Sequence, residues 1–124
     1  MLGGHRERTM GLAVRYADIW SAYATDSSLP DAFGPMLSQL DAICAAQGRD
    51  PASLGRSIGV IVEPTDDHTA EASGMGIPIS GSLEEIGDTL RSFGAIGVTR
   101  LELVLWPNTL AALEAFAPVL PMLD

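Results

Sequence analysis

Apolar positions along the chain alternate between helical spacing and short β-branched runs, and the changes of period fall at glycine and proline. After Gly3-Gly4, the segment Arg8 to Ala17 places Met10, Leu12, Ala13, Tyr16 and Ala17 at helical spacing, and Ile19 to Tyr23 then reads as a short strand. A turn-rich stretch, Thr25 to Pro30, leads into a helix predicted over 31–47. There Met36, Leu37, Leu40, Ile43 and Cys44 fall at steps of three and four. Gly48 supplies the residue after its end, and Pro51 blocks continuation. Ser57 to Val62 is β-branched and bounded by Arg56 and Pro64, which predicts a strand.

A polar, glycine-rich stretch from Glu63 to Gly81 follows. Ser82-Leu83-Glu84-Glu85 has the capping-box pattern, in which serine hydroxyl and glutamate carboxylate satisfy orphan amides at a helix start. Leu83, Ile86, Leu90 and Phe93 form the stripe of that helix, and Gly94 or Gly97 stops it. Val98 to Trp106 is the clearest strand, with Leu101, Leu103 and Leu105 on one face and Arg100, Glu102, Val104 and Trp106 on the other. Asn108 or Thr109 can cap a last helix whose Leu110, Leu113, Phe116 and Leu120 share a face, with Pro118 and Pro121 kinking or dividing it. Strands alternating with helices predict an α/β fold of three and a half units in one domain spanning 1–124.

At 124 residues and 47% apolar composition, the chain has material for one core. Seven arginines and no lysine stand against 16 acidic residues, a formal charge of −9, which repels phosphate backbones and sets nucleic-acid binding aside. One cysteine excludes an internal disulfide framework and a cysteine-based zinc site and fits a reducing compartment, so a cytoplasmic location is expected. No window approaches the length of a membrane span.

Candidate chemistry is sparse. Gly3-Gly4 precedes a helix, where backbone amides and the helix N-terminus can hold a phosphate with Arg6 and Arg8 adding charge; the plainer reading is a turn, and GxGxxG spacing is absent. His5 and His68 are the only histidines, and Asp66-Asp67-His68 reads as a solvated loop, not a metal site. Cys44 sits beside Leu40 on an apolar helical face and reads as core. Glu84, Glu85 and Asp88 stabilise a helix start. Trp20 and Trp106 read as strand-end aromatics, which serve as core as often as they serve as a cofactor wall.

The order of segments adds to this. Gly3-Gly4 followed by Arg8-Thr9-Met10-Gly11-Leu12-Ala13-Val14-Arg15-Tyr16-Ala17-Asp18-Ile19-Trp20 resembles the luciferase-like monooxygenase family. Gly48-Arg49-Asp50-Pro51, then Gly81 to Ile86 opening a helix that reaches Gly97-Val98, then Phe116 to Pro121 are similar to that family's last third in the same order. The resemblance implies the C-terminal part of a (β/α)₈ TIM-type barrel, incomplete in this chain, that uses reduced FMN or the deazaflavin coenzyme on a small organic substrate. It implies Gly3 and Gly4 at the cofactor phosphate, with Arg8 and Thr9 on the following helix, and it assigns no catalytic residue. His5-Arg6-Glu7 intervene where the family often has a further glycine and a proline, and Glu7 places a carboxylate near the phosphate.

A whole barrel takes about 250 residues, so the sequence predicts a piece that works with a missing N-terminal half or as a homo-oligomer, inactive alone. The competing expectation is a non-catalytic domain for a small ligand or a protein partner.

Overall fold

The structure, a computed structural model, describes residues 2–4 and 6–123; His5 lies outside them. Four strands form one parallel sheet in the order β1-β2-β3-β4: β1 Leu2–Gly3, β2 Ile19–Tyr23, β3 Gly55–Val62 and β4 Arg100–Leu105. Four helices follow them in turn, α1 Glu7–Tyr16, α2 Gly34–Gln47, α3 Leu83–Ala95 and α4 Leu110–Phe116. Parallel neighbours need crossovers, and the crossovers here are the first three helices.

Side chains alternate across each strand, and the register lines up Ala22, Ile58 and Leu101, then Val60 with Leu103, then Val62 with Leu105. These face the helices. They share one core with Met10, Ala13 and Val14 of α1, Leu37, Leu40 and Cys44 of α2, Ile86, Leu90 and Phe93 of α3, and Phe116. The opposite face carries Ser21, Tyr23, Ser57, Gly59, Glu102 and Val104, small or polar except at its rim. A sheet covered by helices on one side only is the half-built form of a (β/α)₈ barrel, whose other face lines the interior.

Several boundaries shift from the sequence reading for local reasons. The helix predicted from Asp31 begins as a 3₁₀ turn, Pro30–Phe33, because the fixed dihedral of Pro35 opens a fresh helix start. Gly48 (φ 73°) ends α2 as expected. The Ser82–Glu85 capping box is present in both directions, and α3 runs through Gly94, so Gly97 marks its stop. Leu2–Gly3 adds a fourth strand to the three expected, pairing with Trp20 and Ser21.

The last helix is corrected. Thr109 caps α4, but Ala112, Phe116 and Val119 are the buried positions, whereas Leu110, Leu113 and Leu120 are exposed. Ala112, Phe116 and Val119 stand at i, i+4 and i+7, a helical face next to the one the leucines mark, and the core packs on that face; Pro118 falls where the chain tightens into a 3₁₀ helix, Ala117–Leu123. Trp20 is corrected too. It is the second residue of β2, wholly buried on the helix side, with its indole N–H donating to the Gly4 carbonyl at 2.7 Å. No helix among the described residues is long and apolar enough to cross a membrane.

Candidate functional site

Barrel-type sheets bind their ligands at the C-terminal ends of the strands, and β1 ends at the glycine pair. Gly4 holds φ 127°, a conformation an L side chain rarely adopts, and a Cβ there would lie 2.8 Å from the Thr9 methyl. A Cβ on Gly3 would lie 2.8 Å from the Ser21 hydroxyl oxygen. Gly4 therefore needs to be glycine for the chain to turn from β1 into α1, and at Gly3 a side chain would crowd Ser21 on the neighbouring strand.

The Gly4 amide is already used. It donates to the Ser21 carbonyl at 2.9 Å, and the Gly4 carbonyl accepts from Trp20, so the glycines act by clearing space and setting the angle of α1. The first-turn amides of α1 lie one step later. Arg6 is the N-cap of α1 and makes no side-chain cap bond, which leaves first-turn amides at Arg8 and Thr9 facing an uncapped end. Arg6 and Arg8 bring positive charge there and Glu7 opposes it. Beside this end lies a cleft of about 270 Å³ lined by Gly3, Gly4, Ser21, Tyr23 and Thr25. The four residues expected at the phosphate, Gly3, Gly4, Arg8 and Thr9, thus belong to one strand-to-helix turn.

The inner face continues the site. The Tyr23 hydroxyl donates to Glu102 Oε2 at 2.9 Å, and Ser57 Oγ reaches Glu102 Oε1 at 3.4 Å, tying three strands together. The bond to Glu102, and then its negative charge, pushes the Tyr23 phenol above its ordinary value. Glu102 was placed on the inner face by strand alternation; its pairing with Tyr23 depends on strand order and register, which no local pattern carries.

Glu63, directly after β3, is 4% exposed. It accepts the Ala70 amide at 2.9 Å and faces His68 Nδ1 at 3.5 Å, so His68 closes the β3–α3 loop instead of joining Asp66 and Asp67. Among the described residues no three potential metal ligands gather. Trp106 follows β4 and its indole N–H donates to Thr69 Oγ1 at 3.0 Å. Cys44 is fully buried, and burial pushes its thiol up, away from a nucleophile's range.

Gly48-Arg49-Asp50-Pro51 does structural work at the opposite end of the sheet. Arg49 donates to the Val14 and Ala17 carbonyls at the end of α1, and Asp50 caps the 3₁₀ turn Pro51–Ser53 through the Ala52 amide.

No family model matches the sequence, and no curated protein matches it either. Solved structures do. An F420-dependent secondary alcohol dehydrogenase in complex with an F420-acetone adduct superposes with a TM-score of 0.71 at 15% identity, over 98% of this chain and 48% of that one. The EDTA monooxygenase of Chelativorans sp. BNC1 gives 0.70 at 15% identity, over 99% and 43%. A riboflavin lyase with modified FMN and substrate riboflavin gives 0.64 at 14% identity, over 98% and 41%. The chain spans about half the length of these structures. These likenesses show the fold: an α/β sheet corresponding to half of a (β/α)₈ barrel, as the luciferase-like resemblance implies.

Proposed function

We propose that the chain is the cofactor-phosphate half of a luciferase-like oxidoreductase or monooxygenase that uses reduced FMN or the deazaflavin coenzyme on a small organic substrate. The observation that carries this reading is the fold likeness over 98% of the chain to an F420-dependent dehydrogenase, joined to an uncapped helix end at the mouth of β1. In this reading the Arg8 and Thr9 amides and the Arg8 guanidinium hold the phosphate, while Gly3 and Gly4 let it approach. The cofactor supplies the hydride or oxygen chemistry, and this chain's task is to bind and orient it. Further strands, from a longer polypeptide or a second subunit, complete the wall around ring and substrate, so the 124 residues alone give no turnover above free flavin.

The test is titration of the native chain and Gly4→Val with FMN, the deazaflavin coenzyme and riboflavin. Preference for the phosphorylated ligands in the native chain, lost in the variant, supports the assignment. Equal affinity of both chains for every ligand removes it. A second reading, a non-catalytic interaction domain, draws on the exposed Val104, Leu110 and Leu113 along the open edge of β4. That reading expects a colourless protein that takes up no flavin.

A further inference from the structure

We propose that Tyr23 is a stacking platform for a planar heteroaromatic ring, pinned by Glu102 and by the bare backbone of Gly59, in the hollow that opens at Gly3 and Gly4. The inference rests on the cofactor reading above and adds to it a contact for the ring.

A glycine occupies an unexpected place in the sheet. Gly59 sits in the middle of β3, otherwise a run of buried residues, where a glycine weakens a strand and marks close approach by another group. That group is Tyr23, its partner in register on β2. A Cβ at position 59 would stand 2.1 Å from Tyr23 Cδ1 and 2.5 Å from Cε1, so the phenol ring occupies the space of the missing side chain. The ring crosses β3, and its hydroxyl reaches Glu102, which pairs with Gly59 on the far side. One end of the ring is held by the strand that bears it and the other by a carboxylate two strands away.

This arrangement fixes what Tyr23 can offer a ligand. Its hydrogen is committed to Glu102, and the same bond keeps the phenol protonated, so the hydroxyl is not a free donor. The ring surface is free. Tyr23 is 62% exposed on the inner face, and an aromatic ring already immobilised loses little freedom when a second ring stacks on it. Tyr23 also lines the same cleft as Gly3, Gly4 and Ser21. One ligand with an anionic end at α1 and a flat ring on Tyr23 satisfies both features. Stacking of this kind changes affinity by about tenfold or more per ring.

The experiment uses riboflavin, which has the ring without the phosphate, and follows the ring resonances of the two tyrosines by NMR. Tyr16, exposed on α1 under the Arg15 guanidinium, is the internal control. Riboflavin and FMN should both move the Tyr23 resonances well beyond those of Tyr16, and Tyr23→Leu should weaken riboflavin binding about tenfold. Tyr23→Phe keeps a ring and should lose far less. Tyr23 shifts no larger than those of Tyr16 in the native chain overturn the proposal whatever the variants do, as does undiminished riboflavin binding by a folded Tyr23→Leu. Gly4→Val separates the two ideas. Loss of the FMN preference with Tyr23 shifts intact supports both sites, whereas an unchanged FMN preference sinks the phosphate assignment and leaves the ring contact standing.

Discussion

Two side chains illustrate how single residues hold this sheet together. Arg49 places its guanidinium across the C-terminal end of α1, donating to Val14 at 2.9 Å and Ala17 at 2.6 Å while also bonding Ser53. Cationic donors complement unpaired carbonyls at a helix end, and a charge-assisted bond contributes about 1.5–3 kcal/mol. Arg49→Met should therefore destabilise the chain by about 2 kcal/mol in urea unfolding, and Arg49→Lys should recover only part of that, since an ammonium cannot span the same carbonyls. Tyr23 responds to pH through Glu102. Folding raises its phenol value above 10.0, so its contribution to stability is present below that pH and is lost as pH rises through the higher folded value. Glu102→Ala removes both causes, the acceptor and its negative charge. Tyrosinate absorbance in that variant should develop at lower pH than in the native chain, and an unchanged titration would show that the hydrogen bond does not form in solution.

At the scale of elements, periodicity read most of the helices and strands because their own side chains decide them. The Ser82–Glu85 box is local chemistry, four residues apart at most, and it stands as read. Ser82→Ala should cost about 1 kcal/mol, measured as a lowered urea midpoint with unchanged slope, because the Glu85 amide loses its acceptor at the start of α3. The glycine pair was legible as a turn before a helix; that Gly4 spends its amide on Ser21 was not, since the acceptor lies on another strand. The same holds for Glu63, whose partners His68 and Ala70 fold back from a loop with no regular period. The reading of α4 failed for a different reason. Leu110, Leu113, Phe116 and Leu120 do share an α-helical face, but the core lies against Ala112, Phe116 and Val119; Leu110, Leu113 and Leu120 are exposed, the first two beside β4. A sequence pattern reports which side is greasy, not which side the core packs against.

For the molecule as a whole, this outward face leads to a prediction about behaviour in solution. Among the described residues β4 has a paired neighbour on one side only, and a cleft of about 640 Å³ lies against it, lined by Leu103, Val104, Leu105, Leu110 and Leu113. Val104 is 40% exposed, Leu113 52% and Leu110 69%, more apolar surface than one small domain usually leaves clustered beside an open strand edge. A formal charge of −9 opposes association, but that repulsion is screened within about 8 Å at physiological salt, whereas apolar burial gains about 25 cal/mol per Å² at any ionic strength. The balance therefore tips with salt. Sedimentation of the 124-residue chain should show a dimer or larger species whose population grows as salt rises. Leu113→Glu places a charge in the middle of the cleft without touching the buried core positions Ala112 and Phe116, so it should return the chain to a monomer while leaving its fold intact. A native chain that stays monomeric at both low and high salt and melts in one sharp transition would mean that the β4 edge needs no covering layer, and the half-barrel reading of the fold in solution would fall with it.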